Sequence, residues 1–520
     1  MEQGVGHVST RPAHAPSTSL AEIVAWLTHS GRSAQVVGDE QTHIAGLTLS
    51  SQRVRAGDLY ASLPGARVHG IDFAASAIAS GAVAVLTDPA GALRAPADVP
   101  VVVVDEPRSV LGELAALIYD EPARAMRMIG VTGTQGKTTT TRLAEAGLQG
   151  TGVRAAVIGT VGTRVAGTDV TTSLTTPEAP DLHGLFAVMR EHAVEACVME
   201  VSSHALVMGR VDGVVFDVAV FLNLGRDHLD FHTDVEDYYR AKASLFTPER
   251  ARLALVNIDD EHGRRLARET TIPVRTFSTR GADADWTAHS VTAEDGGSRF
   301  AVSGPGYGPT STQLVRAHVP LPGAFNVENA LAAIAACAEA GYAAGHVAES
   351  LENAVVPGRM EPVVAGQDFV VVVDYAHKPD AVDAAISALR PLADAANGRV
   401  IVVLGAGGDR DPGKRPIMGE IAARLADVLI VTDDNPRTEE PTAIRAAVLA
   451  GASDVGQTEV HETGDRGAAI EQALSMAAPG DVVLIAGKGH ESGQEIDGVV
   501  HLFDDRDVAR AILSTLASDR

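Results

Sequence analysis

Residues Gly130 to Thr141 read Gly-Val-Thr-Gly-Thr-Gln-Gly-Lys-Thr-Thr-Thr-Thr, between an apolar run (Met126, Met128, Ile129, Val131) and a segment carrying Leu143 and Leu148. A glycine-rich turn between a strand and a helix lets backbone N–H groups close around phosphate oxygens. Here Gly133, Thr134, Gln135 and Gly136 make the turn, Lys137 adds a mobile positive charge, and the Thr138 hydroxyl can reach a magnesium ion, with Thr139 beside it. The strict phosphate-loop pattern has glycine where Val131 stands. A nucleoside triphosphate is the expected ligand and ATP the expected co-substrate.

Three further clusters follow apolar runs. Glu200, in Met199-Glu200-Val-Ser202-Ser203-His204, puts a carboxylate at a strand end, where a hard cation bridging phosphates would take oxygen donors. Alone, such an acid reads equally well as a cap. Asn223, Asp227, His228 and Asp230 crowd the next strand end, and so many polar groups in one place point to metal or nucleotide contact. Thr233-Asp-Val-Glu236 reads as a capping box opening a helix. On that helix Val235, Tyr239, Lys242 and Phe246 share one face. Lys242 is therefore either a snorkelling lysine or one buried toward the phosphate site, paired with phosphate or chemically altered.

The elements that must position these groups follow from apolar periodicity. Strand-like runs at Ala155 to Ile158, Ala196 to Met199, Val218 to Leu222 and Ala254 to Asn257 alternate with helix-length segments, which implies a largely parallel sheet. The same rhythm returns at Phe369 to Val373, Val400 to Leu404, Val428 to Val431 and Val482 to Ile485. Shorter runs, Ala82 to Leu86 and Val99 to Val104, lie in the first part of the chain. Breaks at Asp120-Glu121-Pro122 and Val356-Pro357-Gly358 suggest boundaries. The expected fold class is α/β with three domains: a small α/β N-terminal domain (19–123), a central phosphate-loop parallel-sheet ATPase domain (124–356) and a C-terminal Rossmann-like domain (357–520), after a disordered tail at 1–18. Ligands in such sheets bind beyond the carboxyl ends of the strands, where the polar clusters stand.

Composition limits the partners. The 520 residues carry a formal net charge of -25, which opposes binding to nucleic acid or anionic lipid, so anionic ligands need local basic pockets. Cys197 and Cys337 sit in apolar sequence without metal-like spacing and read as buried reduced thiols. The N-terminal stretch lacks a signal-peptide core, and no run approaches the roughly 20 apolar residues of a membrane span. A cytoplasmic protein without membrane insertion is expected.

Taken together, Gly133-Thr-Gln-Gly-Lys-Thr138, Glu200-Val-Ser-Ser-His204, Asn223-Leu-Gly-Arg-Asp-His-Leu-Asp230 and Lys242 resemble the Mur ligases of peptidoglycan synthesis. Leu321-Pro-Gly-Ala-Phe-Asn326-Val-Glu-Asn329, Val356-Pro-Gly-Arg359-Met-Glu361, Asp374-Tyr-Ala-His377, Gly407-Gly-Asp-Arg410-Asp-Pro-Gly-Lys-Arg415 and Gly487-Lys-Gly-His-Glu491 extend the resemblance over residues 45 to 507. It implies ATP-dependent amide synthesis through an acyl phosphate. By that resemblance Lys137 and the loop amides hold phosphate, and Thr138 and Glu200 hold one magnesium ion. His228 and Lys242 hold a second, the lysine carrying a carbamate, since an ammonium is no metal ligand. Lys137, His228 and Lys242 are the implied catalytic residues. Asn326, Arg359 and Asp374 are implied nucleotide contacts, completed by domain closure. A monomer is expected.

Asp434-Asn435-Pro436-Arg437 alone reads as a turn. Within this family it resembles the signature of members that add meso-diaminopimelate, with Arg410 and Arg437 clamping the distal carboxylate and Asp434, Asn435, Pro436, Gly487 and Glu491 completing the pocket. Ser51, His69, Thr175, Thr176, Ser202 and Arg210 resemble contacts to a UDP-N-acetylmuramoyl-L-alanyl-D-glutamate substrate. Departures stand at Ser50 and Gln52, where the family usually has Asp-Ser-Arg around Ser51, at Met208 for a common glutamine, and at Lys378 for a frequent threonine. Rival readings are a related ligase adding L-lysine, another amino acid or a dipeptide, a folylpolyglutamate synthetase, and a non-catalytic nucleotide-regulated binding protein. A dehydrogenase reading of Gly405-Ala-Gly-Gly408 fails because Arg410 takes the place of the third fingerprint glycine.

Overall fold

The computed structural model describes residues 9–518 except 173, 229, 230, 295, 307–314, 454, 456 and 457. Two compact units emerge, one spanning residues 1–287, 303–312 and 331–350, the other 288–302, 313–330 and 351–520.

Among the described residues the first unit contains two large sheets and a short antiparallel pair, Thr18–Ser19 with His43–Ile44. The smaller of the two large sheets has the order Ala34–Val37, Val101–Val104, Ala84–Thr87, Asp58–Ala61, Gly46–Thr48, parallel throughout except for the antiparallel first strand. Leu47, Leu59, Leu86 and Val102 pack with Leu20, Ile23 and Leu114 to form its core. The segment expected to be a disordered tail is placed from residue 9 onward. Arg11 is 8% exposed because its guanidinium pairs with Asp58 and donates to the Leu47 carbonyl and the Tyr119 hydroxyl. That charge pair is reason enough for the tail to lie on the sheet.

Eight of the eleven strands of the larger sheet run, in order, Thr168–Val170, Gly162–Val165, Ala155–Gly159, Ala196–Glu200, Arg127–Thr132, Val218–Phe221, Ala254–Asn257, Val274–Ser278. From Ala155–Gly159 to Val274–Ser278 it is parallel, as expected for strands alternating with covering helices. The phosphate-loop strand Arg127–Thr132 lies between the strand that ends in Glu200 and the strand that precedes Asn223. This arrangement brings three sequence-distant clusters to one carboxyl edge.

In the second unit a six-stranded sheet has the order Glu361–Pro362, Val370–Asp374, Val482–Ala486, Val400–Ala406, Val428–Asp433, Glu459–Glu462, all parallel but the first. Val371, Val403, Ile430 and Ile485 bury against Ile470, Leu474 and Leu513. Asp374, Gly487, Gly407 and Asp434 therefore stand at or just past the carboxyl ends of adjacent strands. A short antiparallel pair, Gly493–Ile496 with Val499–Leu502, follows.

Candidate active site

Gly136 has φ 86°, a left-handed backbone that a Cβ would strain, and it admits the helix Lys137–Gly150 directly after the turn. Asn223 braces this loop from the neighbouring strand end. Its Oδ1 accepts from the Thr134 and Gln135 amides at 3.1 and 2.9 Å, and its Nδ2 donates to the Gln135 carbonyl. Lys137 Nζ donates to the Gly133 and Thr134 carbonyls at 2.8 and 3.2 Å. Lys242 Nζ donates to the same Gly133 carbonyl at 2.9 Å and lies 4.5 Å from the centre of the Tyr238 ring. Lys242 is 1% exposed, so its ammonium is turned inward to the loop and not to water.

The helix carrying Lys242 spans Val235–Ala243 and is capped by Asp234, which accepts from the Asp237 amide at 2.7 Å. The sequence pattern put the cap at Thr233. The Asp234 carboxylate takes the role because its backbone is extended at that point, while the Thr233 amide donates to Asp237. Phe246 is buried but lies beyond the helix end.

Thr138 Oγ1 donates to Glu200 Oε1 at 2.9 Å, and both residues are buried. Glu200 also accepts from the Thr160 amide at 2.8 Å and hydroxyl at 3.1 Å. A Cβ on Gly159 would fall 2.3 Å from Glu200 Oε1, so the carboxylate's approach to this strand end requires glycine. From Thr160 the network continues to the Thr175 hydroxyl at 3.0 Å. Thr176 Oγ1 donates to the Glu200 carbonyl, its own oxygen accepts from the Ser202 amide, and its carbonyl accepts from Arg210. The phosphate-loop helix thus shares one hydrogen-bonded array with Thr175, Thr176, Ser202 and Arg210, whereas Ser51 and His69, also expected on the UDP-substrate side, are not part of it. Thr160 was not among the expected site residues. Its place directly after an apolar strand and a glycine was the available signal.

His228 has φ 53° and stands 3.3 Å from Asp227 and 4.8 Å, ring to ring, from His204. Among the described residues no group of three His, Cys, Asp or Glu side chains is arranged to hold a metal; Asp230 lies outside the described residues. Magnesium, however, binds through few protein oxygens and through substrate phosphates. The Thr138 and Glu200 oxygens fit such an ion. The Lys242 ammonium does not, and only an oxygen-bearing modification would make it a ligand. Ser51 is half-buried; His69 is engaged internally, with Nε2 3.1 Å from Asp88 and Nδ1 accepting from the Ile71 amide.

In the second unit Asn326 is buried, its Nδ2 donating to the Pro322 carbonyl at 2.8 Å. Arg359 lies over the Tyr375 ring at 4.3 Å. Asp374 accepts from the Met360 and Ala376 amides, and burial raises its pKa despite the Arg359 charge. His377 is pushed down to about 4, first by burial and then by the Lys378 charge, so it is a neutral imidazole near neutral pH. Asn435 donates to Glu491 at 2.8 Å. Asp434 Oδ2 closes on Gly487, where a Cβ would sit 2.5 Å away; Gly487 also has φ 119°. Arg437 donates to the Gly408 carbonyl at 2.7 Å and pairs with Glu495 at 3.2 Å. Arg410 is exposed on the loop that follows Val400–Ala406, and Pro436 is buried. Lys488, 0% exposed, was not among the expected site residues.

Three domain patterns match the chain in order: the Mur ligase family catalytic domain at residues 43–119, the Mur ligase middle domain at 131–337, and the Mur ligase glutamate ligase domain at 358–489. The chain belongs to the Mur ligase family. It is 52% identical over 508 residues to the UDP-N-acetylmuramoyl-L-alanyl-D-glutamate–2,6-diaminopimelate ligase of Streptomyces avermitilis, covering 96% of this chain and 97% of that one. The ligase of the same name from Corynebacterium glutamicum is 48% identical, with 93% and 94% covered. A solved structure of a ligase of that name superposes with a TM-score of 0.68 at 31% identity, covering 96% of this chain and 99% of its own. The three-domain α/β architecture is thus that of a Mur ligase, and the phosphate-loop edge described above falls within its middle domain.

Proposed function

We propose that this Mur ligase joins meso-diaminopimelate to UDP-N-acetylmuramoyl-L-alanyl-D-glutamate at the expense of ATP, forming the UDP-muramoyl-tripeptide of peptidoglycan precursor synthesis. A carboxylate oxygen is a poor leaving group. Transfer of the γ-phosphoryl group to the substrate carboxylate makes an acyl phosphate, the amine attacks its carbonyl carbon, and phosphate departs from the tetrahedral intermediate. Little covalent chemistry is then left to the protein beyond positioning and charge neutralisation.

The observation that carries this reading is the continuous hydrogen-bonded array from Thr138 through Glu200 and Thr160 to Thr175, with Thr176, Ser202 and Arg210 attached. It couples the phosphate loop to these residues assigned to the acceptor substrate. Gly133, Thr134, Gln135, Gly136, Lys137 and Thr139 cradle phosphate, Lys137 exchanging its carbonyl partners for phosphate oxygens. Thr138 and Glu200 would hold magnesium, which when bound neutralises charge on the phosphates. His228 and a carbamate on Lys242 are assigned to a second ion, and Asn326, Arg359 and Asp374 to the nucleotide. Ser51 and His69 belong to the UDP-substrate side. Arg410, Asp434, Asn435, Pro436, Arg437, Gly487 and Glu491 form the diaminopimelate pocket. The enzyme is taken to act as a cytoplasmic monomer.

Incubation with ATP, magnesium, the UDP-dipeptide and meso-diaminopimelate should yield a product heavier than the UDP-dipeptide by one diaminopimelyl residue in a mass spectrum. Unchanged UDP-dipeptide with consumption of ATP alone would contradict ligation.

A further inference from the structure

Lys488 follows the strand Val482–Ala486, is 0% exposed, and donates to Asn435 Oδ1 at 3.0 Å and to Glu491 Oε2 at 3.3 Å. An ammonium is held in the interior only where its hydrogen bonds are met. Asn435 Oδ1 also accepts the Glu495 amide at 3.0 Å. Both donors lack any acceptor capacity, so only the amide oxygen can face them, and a carboxamide oxygen carries two lone pairs. The orientation of Asn435 is thereby set: its oxygen is saturated and its Nδ2 points the other way, where one hydrogen goes to Glu491 Oε2 at 2.8 Å. The other Nδ2 hydrogen is what Asn435 can offer a ligand. Were the amide reversed, the same spot would present a carbonyl, which accepts from an ammonium and repels a carboxylate.

We propose that Lys488 is a specificity-determining positioning residue: by occupying the Asn435 oxygen it makes Asn435 present an N–H, selecting an amino acid that bears a distal carboxylate over one that bears only an ammonium. The proposal rests on the diaminopimelate reading above and adds the reason Asn435 discriminates. Glu491 is held by the same ammonium and by Asn435, so the carboxylate that would meet a substrate ammonium is fixed in place as well.

The test compares kcat/KM for meso-diaminopimelate with that for L-lysine in the full chain, with ATP and UDP-dipeptide saturating. In Lys488→Met the preference should fall by at least roughly tenfold through a raised diaminopimelate KM, while the ATP KM stays at the wild-type value. Lys488→Gln, which returns an N–H donor, should recover part of the preference. Asn435→Asp, which keeps an acceptor for Lys488 but offers the substrate no hydrogen, should lose it. If Lys488→Met does not fold, the other two variants decide. An unchanged preference in the folded variants, or an ATP KM rising in step with that for diaminopimelate, overturns the assignment. A wild-type enzyme that ligates lysine in preference overturns both the diaminopimelate reading and this one, whereas normal wild-type preference with unaltered variants overturns this one alone.

Discussion

The Gly133 carbonyl receives two ammonium groups, Lys137 at 2.8 Å and Lys242 at 2.9 Å. Two like charges on one oxygen repel, and a polyphosphate arriving in the loop gives Lys137 a stronger partner. Lys137→Ala should therefore lower kcat by about 100-fold or more, read by phosphate release under saturating substrates. Lys242→Arg keeps the charge but cannot form a carbamate. It should lose comparable activity, and a carbamate resonance expected from the wild type with isotopically labelled bicarbonate in an NMR spectrum should be missing; full activity in this variant would remove the modified lysine from the mechanism. The inward direction of Lys242 was legible in part: helical periodicity places it with Tyr239, and both are buried, while Val235, expected on the same face, is exposed. The partnerships of Thr160 with Glu200 and of Lys488 with Asn435 were not legible. They join residues 40 and 53 positions apart, and nothing local in the chain encodes such a contact.

At the scale of elements, the strand runs stood out because parallel strands covered on both faces are written as continuous apolar stretches. Ala254–Asn257 and the cores of Val400–Ala406 and Val428–Asp433 fall where the pattern put them. Helix starts were harder: Thr233 and Asp234 are both good capping types, and only the backbone conformation selects Asp234. The helix Ala179–Glu191 buries His183, whose pKa is pushed down to about 4 by loss of solvent, in opposition to its bond with the Asp212 carbonyl. A folded-state pKa below the ordinary 6.5 means the unfolded chain takes up protons first, so stability is full above that value and is lost as pH falls toward 4. The melting temperature should decline between neutral pH and about pH 5, and less steeply in His183→Gln. Parallel slopes would assign the decline to other groups, His377 foremost. The phosphate turn makes a second element-level prediction. Gly136→Ala must hold φ 86° with a Cβ at a cost of about 1–2 kcal/mol, so the melting temperature should fall and the ATP KM should rise.

For the whole molecule, a net charge of -25 leaves the surface inhospitable to anions, so on the proposed function the binding of a UDP-sugar, a nucleotide and a dicarboxylate amino acid would fall to local groups such as Lys137, Arg210, Arg359 and Arg437. Among the described residues no helix is long and apolar enough to cross a membrane. The three-domain α/β class was legible from strand rhythm because the α/β alternation recurs along the chain, whereas the joining of the first two sheets into one compact unit depends on tertiary packing. The most direct measurement is phosphate release from ATP with magnesium and UDP-N-acetylmuramoyl-L-alanyl-D-glutamate, comparing meso-diaminopimelate, L-lysine and no amino acid. Release driven by diaminopimelate alone is the predicted result. Release driven equally by lysine would contradict the pocket built on Asn435 and Arg437, and release independent of any amino acid would contradict amide synthesis itself.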